Sequence, residues 1–294
     1  MKLRKIGEDR LLAQLLPKLS RNSSVVLGPG DDCAVVRYPR AGNFELLKTD
    51  CIVEGIHFNA TSHPESVGWK AMARPLSDFA AMSGVPRFAL VSLIIPAERE
   101  LDWTKKLYRG LEKAARTFGV VIAGGETSNI KGPAVISVSL TGFVERNRWV
   151  SRDGGKAQDE LLVTGRLGRS FHGRHLKFTP RIAEARWLTE KFSIHAMMDL
   201  SDGLGADLPR LACASEVGFE VDEDAVPRHR GCSLRQALSD GEDYELLFAV
   251  SPAVTAELQK RWRKRWPLEL TRIGHLTKAR SSPKNWPPGY VHFK

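Results

Sequence analysis

Strand-like and helix-like segments alternate through the first half of this chain, and few folds are compatible with that order. Residues 88–96 (FALVSLIIP) form a short apolar run typical of a buried strand, whereas residues 102–119 repeat apolar side chains at helical spacing and end in glycine. By the same criteria we predict further strands at 44–50, 120–128 and 134–144 and another helix at 66–84. Pro75 falls inside that helix, and we expect it to kink or split the helix.

A polar, glycine-rich segment, VSRDGGKAQDE at 150–160, interrupts this alternation, and LLVTG then begins a second set of strands and helices. Such a segment is typical of a hinge between domains. The length of 294 residues also suits two domains, each with its own core. We therefore predict an α+β protein with an N-terminal domain at 1–149 and a C-terminal domain at 150–294.

Membrane, secretory and cysteine-rich signatures are missing from the sequence. No apolar run approaches the roughly 18 residues that a membrane-spanning helix needs. Glu8, Asp9 and Arg10 interrupt the N-terminal apolar residues, which favours an amphipathic helix over a signal peptide. The four cysteines are scattered without a Cys-x-x-Cys pair, so neither a zinc site nor a disulfide framework is expected. These features predict a reduced, cytoplasmic protein.

The net charge of +10 raises the question of nucleic-acid binding. Part of this charge lies in QKRWRKRW at 259–266, where tryptophans interleave with basic residues. The favoured interpretation is a solvated, partly helical surface with Trp262 and Trp266 packed inward. An anion-attracting surface is the alternative, and the acidic clusters elsewhere argue against a dedicated nucleic-acid-binding protein.

Acidic residues recur where apolar runs meet glycine, serine or threonine. Four segments share this form: GPGDDCAVV at 28–36, LLKTDCIVEGIHF at 46–58, VIAGGETS at 121–128 and MMDLSDGLGADL at 197–208. Asp78, which lies in a predicted helix of small residues, is a further acidic candidate outside these four segments. Taken singly, each acid is typical of a turn or a helix N-cap. Together they favour a cleft where Mg²⁺ neutralises several carboxylates and bridges to substrate phosphates, which indicates metal-assisted phosphate chemistry.

Familiar nucleotide and calcium motifs do not account for these acids. Residues 168–175 have the glycine spacing of a P-loop, but Arg174 and His175 stand where Lys and Ser or Thr are required. An EF-hand loop would need glycine and glutamate at the positions of Leu204 and Arg210. The His-Arg-Asp and Asp-Phe-Gly sequences of protein kinases do not occur. Phosphate chemistry in this chain would therefore use another type of site.

Taken in order, the segments resemble the thiamine-monophosphate kinase family, in the superfamily of aminoimidazole ribonucleotide synthase. The resemblance runs from Gly7-Glu8 to the final GYVHF, through GDDCAVV, TDCIVEGIHF, GWKAMARPLSDFAAMSGVP, GGET, VTGRLG, TPR, MMDLSDGLGADL, SEVGFEV and GEDYELLF. VEGIHF with GEDYELLF favours this family over its superfamily relatives. The resemblance implies an N-terminal ATP- and metal-binding domain whose sheet pairs across a homodimer. It also implies a C-terminal α/β sandwich-like domain that completes the nucleotide and substrate site.

The implied reaction is direct in-line transfer of the γ-phosphoryl group of ATP to thiamine monophosphate, assisted by several Mg²⁺ ions. The implied metal ligands are Asp32, Thr49, Asp50, Asp78, Glu126, Asp199 and Asp202, of which Asp50, Asp78 and Asp202 would also be catalytic. The implied nucleotide contacts are Gly125, Glu126, Arg152 and Ser201, and the implied substrate contacts are His57, Glu242 and Tyr290. Tyr290 would stack on the thiamine rings, where cation–π attraction to the thiazolium is favourable.

Five residues near the implied site depart from the family's pattern. Glu126 replaces an aspartate, Lys48 a small hydroxyl residue, Arg74-Pro75 a Val-Asn pair, and Asp240 the first glycine of Gly-Gly-Glu-Asp-Tyr-Glu. Lys48 could displace one metal ion or contact phosphate. Two alternatives therefore stay open: a degenerate member that binds nucleotide or thiamine phosphates without turnover, and a related enzyme that acts on another small phosphate-bearing metabolite.

Overall fold

The computed structural model describes residues 7–19, 22–37, 42–279, 283 and 285–290. Its helices are α1 (Gly7–Leu15), α2 (Pro64–Ala81), α3 (Leu101–Thr117), α4 (Ile182–Lys191), α5 (Leu204–Ala214), α6 (Leu234–Ser239) and α7 (Pro252–Arg265). Its strands are β1 (Val25–Leu27), β2 (Ala34–Arg37), β3 (Asn43–Val53), β4 (Val85–Ile95), β5 (Val121–Asn129), β6 (Val135–Glu145), β7 (Glu160–Thr164), β8 (Ala196–Asp199), β9 (Gly218–Val221), β10 (Leu246–Val250) and β11 (Leu270–Thr277). The predicted α+β class is confirmed, as are the four strands and two helices predicted in the first half.

The described residues fall into two compact units. Unit A takes the described residues within Asp32–Trp149 and His172–Glu190, and unit B takes those within Met1–Asp31, Val150–Phe171 and Lys191–Lys294. Each unit therefore combines segments from both sides of residue 150. The predicted domain ranges, 1–149 and 150–294, stay a prediction.

The sheet of unit A has the strand order β2-β3-β6-β4-β5. Its pairs are antiparallel except β4 with β5, which are parallel because α3 connects them. One face is buried, with Leu46, Val91 and Val138 in the core. On the opposite face Leu47 and Leu90 are 40% and 52% exposed, so this face, here named the open face, is left largely uncovered.

Helices α2 and α3 approach each other closely because both carry a glycine at the crossing. A Cβ atom on Gly110 would lie 1.9 Å from the Glu65 carbonyl oxygen, and one on Gly68 would lie 2.0 Å from the Leu107 carbonyl oxygen. Pro75 does not split α2, which runs through it without interruption from Pro64 to Ala81. The close crossing brings the α2 backbone, and with it Asp78, into a defined position in unit A.

An ion pair between β6 and α4 supports a prediction about unit A. Arg186 donates from Nη1 and Nη2 to the two carboxylate oxygens of Glu145, each at 2.6 Å, and these bonds lower the pKa of Glu145 to about 2. In the unfolded chain this carboxyl titrates near its ordinary value of 4.5. The stabilisation is therefore complete above pH 4.5 and is lost as the pH falls toward 2.

We expect Glu145→Gln to lower the free energy of unfolding by about 1 kcal/mol at pH 7. The difference from the unmodified protein should shrink below pH 4.5, as measured by urea unfolding at a series of pH values. Glu112→Gln is the matched control, because Glu112 pairs with Arg116 on the exposed surface of α3. A pH-independent loss for Glu145→Gln would contradict the role of its charge.

Unit B contains an antiparallel sheet of strand order β8-β10-β7-β11-β9. The core lies between this sheet and α5, which contributes Leu204, Leu208 and Leu211. Strand β8 ends at Asp199, and the chain turns into α5 through Gly203, whose φ of 90° favours glycine. The loop between β8 and α5 therefore carries the acids of the MMDLSDGLGADL segment.

The basic segment at 259–266 belongs largely to α7. Trp262 is fully buried and donates from Nε1 to the Leu268 carbonyl oxygen at 2.7 Å, which confirms that it packs inward. Trp266 is half-buried, 6.1 Å from Trp262 between ring centroids. Among the described residues, no helix is both long enough and apolar enough to cross a membrane.

Candidate active site

Two buried carboxylates lie together in unit A. Asp32 stands just before β2 and is 1% exposed, and Asp78 lies on α2 and is 7% exposed. An oxygen of Asp32 and an oxygen of Asp78 are within 4.8 Å of each other. Burying two like charges this close is costly unless a cation lies with them. The structure thus brings together two of the predicted metal ligands.

Strand β3 adds a basic and an acidic side chain to this group. Side chains alternate along a strand, so Lys48 and Asp50 project to the same buried side of the sheet. Lys48 donates from Nζ to Asp78 Oδ1 at 2.8 Å, and Arg74 Nη2 lies 3.8 Å from Asp50 Oδ1. We name this group the unit A charge cluster, and its members are Asp32, Lys48, Asp50, Arg74 and Asp78. In it, carboxylates outnumber basic groups by one.

The two basic residues control the ionisation of Asp50. Burial by itself would raise the pKa of this carboxyl, but Lys48 and Arg74 outweigh burial and hold the pKa below its ordinary value of 3.8. Burial by itself would lower the pKa of Lys48, but the negative charges of Asp78 and Asp50 raise it by more, so the pKa lies above its ordinary value. Both groups are therefore charged at neutral pH.

Thr49 and Glu126 project away from the unit A charge cluster. Thr49 Oγ1 lies 3.1 Å from Ser139 Oγ on the open face. The register pairs Glu126 with Ser92, Ser92 with Ser137, and Ser137 with Cys51. Since paired residues project to one face, Glu126 also lies on the open face, where it is exposed. The structure therefore does not bring these two side chains together with Asp50 and Asp78.

Gly125 precedes Glu126 and pairs with Val91 on β4. A Cβ atom at this position would lie 1.8 Å from the Val91 carbonyl oxygen, so the pairing of β4 with β5 requires glycine here. The Glu126 carboxylate accepts a hydrogen bond from the backbone N–H of Thr127 at 3.0 Å. This bond holds the longer side chain of Glu126 against its own strand.

His57 lies in the tight turn that follows β3. Its Nδ1 accepts a hydrogen bond from the backbone N–H of Val53 at 3.0 Å, which places the proton of the neutral ring on Nε2. The buried Lys70 donates from Nζ to the His57 carbonyl oxygen at 2.7 Å and thereby fixes the turn. The ring can then donate from Nε2 to a ligand oxygen.

In unit B, five predicted residues gather around the end of β8. Asp199 is 3% exposed at the strand end, and Ser201 and Asp202 follow it. Two backbone hydrogen bonds bring distant segments here: Glu242 N donates to the Ser201 carbonyl at 2.7 Å, and Tyr290 N donates to the Asp202 carbonyl at 2.8 Å. These five predicted nucleotide, substrate and metal residues are therefore neighbours.

Two residues that the sequence analysis missed hold Asp202 in place. Arg210 donates from Nη1 to Asp202 Oδ2 at 2.5 Å and to Asp207 Oδ1 at 3.0 Å. The Asp202 backbone N–H donates to Asp207 Oδ2 at 3.0 Å. Burial, with Asp202 and Asp199 nearby, raises the pKa of Asp207 well above its ordinary value. The spacing of Asp207 and Arg210, three residues apart on α5, was the signal that could have identified this pair.

Arg152 and Asp240 have structural partners of their own in unit B. The Asp31 carboxylate accepts from Arg152 N at 2.9 Å and lies 3.9 Å from Arg152 Nε. Asp240, which replaces a glycine of the family pattern, has φ −65° and accepts from Arg169 N at 2.8 Å. Its backbone therefore needs no glycine, and its carboxylate anchors the adjacent loop.

The unit A charge cluster fits a divalent cation. Mg²⁺ prefers carboxylate oxygens, and the oxygens of Asp32 and Asp78 are close enough for one ion to contact both. Lys48 supplies one ammonium to Asp78, which leaves more negative than positive groups in the cluster. The arrangement can therefore bind a cation and, through it, an anionic ligand such as a phosphate.

Comparison with known proteins agrees with the resemblance found in the sequence. The family model "AIR synthase related protein, N-terminal domain" matches residues 30–144, and "AIR synthase related protein, C-terminal domain" matches residues 149–283. The thiamine-monophosphate kinase of Rhodopirellula baltica is 35% identical over 311 residues, covering 97% of each chain. That of Bacillus subtilis is 32% identical over 328 residues, covering 98% of this chain and 100% of the relative.

A solved structure described as AaThiL complexed with AMPPCP and TMP has the same fold. Its TM-score is 0.85 at 31% identity, and the match covers 99% of both chains. The similarity therefore extends through both AIR synthase related domains, and the predicted two-domain fold is confirmed. This chain belongs to the thiamine-monophosphate kinase family.

Proposed function

We propose that this protein transfers the γ-phosphoryl group of ATP to thiamine monophosphate, which yields thiamine diphosphate and ADP. The observation that carries the proposal is the similarity, over 99% of the chain, to a structure complexed with AMPPCP and TMP. Relatives of 32% to 35% identity named thiamine-monophosphate kinase support it independently. The buried acids of both units provide the ligand types that a magnesium–nucleotide complex requires.

In this proposal the unit A charge cluster acts on the triphosphate. Bound Mg²⁺ would neutralise the triphosphate charge and favour in-line transfer. Asp32, Asp50 and Asp78 would hold the ions. Lys48 orients Asp78 through its 2.8 Å hydrogen bond, and Arg74 lies 3.8 Å from Asp50. Direct transfer also requires that the donor and acceptor oxygens be held in line, which is a task for the residues that bind the two substrates.

Unit B carries further residues with proposed roles. Asp199 and Asp202 are the proposed metal ligands, with Asp202 held by Arg210. Ser201 and Arg152 are the proposed nucleotide contacts, in addition to Gly125 and Glu126 of unit A. Substrate contacts are proposed for Glu242 and Tyr290 here and for His57 in unit A, whose ring would donate from Nε2 to a phosphate oxygen.

The proposal is tested by incubating the purified protein with ATP, Mg²⁺ and thiamine monophosphate and following thiamine diphosphate by chromatography. Product that requires both Mg²⁺ and ATP is the expected result. Nucleotide binding without product would favour the degenerate member. Turnover only with a different phosphate-bearing acceptor would favour the related enzyme and overturn the proposed substrate.

Tyr290 allows a prediction about substrate affinity. The residue is 39% exposed and borders a cavity of about 330 Å³ that Glu8 and Arg210 also line. If its ring stacks on the thiazolium, Tyr290→Ala loses a contact of about 1 kcal/mol, and KM for thiamine monophosphate rises roughly fivefold. Tyr290→Phe keeps the ring and should stay close to the unmodified protein. An equal loss in both variants would contradict stacking.

The proposed assembly is a homodimer joined through the open face of the unit A sheet. Leu47, Phe88, Leu90 and Val121 are between 40% and 57% exposed on that face. Leu47 and Phe88 both pair with Thr141 in the strand register, and Phe88 also pairs with Val121. These residues therefore form one row across the sheet. A contiguous apolar surface of this kind is typical of a protein–protein interface. Thr49 and Glu126, which share this face, would then act near the interface.

We expect sedimentation velocity to show a dimer and Leu90→Lys to shift it toward monomer, because the lysine charge would have to be buried against the second copy. Leu101→Lys is the control, since Leu101 is 67% exposed but lies at the start of α3. A monomer in the unmodified protein, or equal behaviour of the two variants, would contradict pairing through the open face.

A further inference from the structure

Lys48 occupies an unusual place for a lysine. Its side chain is 21% exposed and projects from the buried side of β3 into a group of carboxylates. The ammonium contacts Asp78 Oδ1 at 2.8 Å, a distance at which the two charges are in direct contact without intervening water. A long side chain is held here by the strand at one end and by its ion pair at the other.

The carboxylates around Lys48 are those assigned above to metal ions. Asp78 shares its surroundings with Asp32, whose oxygen lies within 4.8 Å, and Asp50 projects from the same side of β3 as Lys48. Arg74, anchored by a 3.1 Å hydrogen bond to the Cys51 carbonyl oxygen, adds a second positive charge near Asp50. The Asp50–Asp78 side of the cluster is thus neutralised by the Lys48 and Arg74 side chains.

A divalent ion and an ammonium cannot both bind the Asp50–Asp78 side without strong repulsion. Like charges a few ångströms apart in a poorly solvated site repel much more than in water.

We infer that the Lys48 ammonium is a built-in cation of this active site, which replaces one divalent ion on the Asp50–Asp78 side of the unit A charge cluster. The chain accordingly binds one divalent ion fewer than it would with a small hydroxyl residue at position 48. The inference rests on the proposed function, because it concerns the same acids and the same metal-bound triphosphate. Unlike a metal ion, this charge cannot be removed by a chelator.

The experiment counts bound Mn²⁺ by electron paramagnetic resonance of the free ion, using the full chain without nucleotide. Lys48→Thr removes the charge and supplies an oxygen, whereas Lys48→Arg keeps the charge. We expect Lys48→Thr to bind one more Mn²⁺ per chain than the unmodified protein at the same free concentration, and Lys48→Arg to bind the same number. Equal counts for Lys48→Thr and the unmodified protein would overturn the inference.

A second measurement is made on the unmodified protein and does not depend on Lys48→Thr. The ¹⁵N ammonium signal of Lys48, assigned by its loss in Lys48→Arg, should keep its hydrogen-bonded position when Mg²⁺ is added to saturation. A shift to the position of solvent-exposed lysines would mean that Mg²⁺ displaces the ammonium from Asp78, and it would overturn the inference even if Lys48→Thr does not fold.

The outcomes separate this inference from the proposed function. One more bound Mn²⁺ in Lys48→Thr than in the unmodified protein supports the inference even if no thiamine diphosphate is formed, and a lower count overturns it. Formation of thiamine diphosphate together with equal Mn²⁺ counts would support the proposed kinase function and overturn the inference that Lys48 replaces a divalent ion. Unchanged counts with weaker nucleotide binding in Lys48→Thr would assign Lys48 to a phosphate contact instead, which also overturns it.

Discussion

The Asp50→Asn variant is expected to lose phosphoryl transfer by a factor of about 10³ while keeping its fold. Asparagine has the same shape as aspartate but carries no charge, so the proposed reacting centre loses one of its carboxylates. Lys48 and Arg74 both lower the pKa of Asp50, which shows that they interact with its negative charge. Each of them would lose this anionic neighbour in the variant. The measurement is kcat for thiamine diphosphate formation at saturating ATP, Mg²⁺ and thiamine monophosphate.

Asp102→Asn is the matched control for this experiment. Asp102 undergoes the same chemical change, but it lies exposed at the start of α3 and pairs with Lys106 in the adjacent turn. We expect kcat of this variant to equal that of the unmodified protein. A kcat for Asp50→Asn within about threefold of the unmodified value would show that Asp50 is not part of the reacting centre.

The second large effect concerns stability and depends on Gly110. In most helices, replacing an interior glycine with alanine stabilises the helix by about 1 kcal/mol. Here the added Cβ would lie 1.9 Å from the Glu65 carbonyl oxygen of α2, a backbone atom that cannot move aside alone. We expect this steric overlap to outweigh the higher helix propensity of alanine. Gly110→Ala should therefore lower the free energy of unfolding by about 3 kcal/mol, as measured by urea unfolding.

Gly42→Ala provides the comparison for Gly110→Ala. A Cβ atom on Gly42 would meet nothing within 4 Å, and its φ lies outside the left-handed region. The alanine should therefore change the free energy of unfolding by no more than about 0.5 kcal/mol. If Gly110→Ala instead stabilised the protein, the crossing of α2 and α3 would have to be wider than described.

Much of unit A could be predicted from local patterns. The four strands and two helices of the first half follow from apolar periodicity, because strand and helix repeats differ within a few residues. The candidate acids were also recognisable, since Asp32, Asp50 and Asp199 stand beside or within short apolar segments and near small residues. Pro75 shows the limit of this reasoning: tertiary packing keeps α2 continuous despite a local signal for a break.

Two predicted metal ligands, Thr49 and Glu126, face away from the unit A charge cluster, and only the facing of Glu126 required more than periodicity. Thr49 follows Lys48 directly in β3, so alternation alone already places its side chain opposite that of Lys48 and Asp50. For Glu126 the face depends on the register of β5 with β4, which includes an irregularity between Ala89 and Leu90. A register shifted by one residue would reverse the face, and no local pattern determines it.

The sequence by itself determined the family, the class of fold, the type of most elements in the first half and the residues available for metal and phosphate chemistry. Only the tertiary structure decided which of them meet: Lys48 with Asp78 on α2, Arg210 with Asp202, and Tyr290 with the loop after β8. The physical reason is the range of the interactions. Periodicity, capping and turn chemistry act over a few residues, whereas the Lys48–Asp78 contact joins residues 30 positions apart. Its existence depends on helix packing and strand register together.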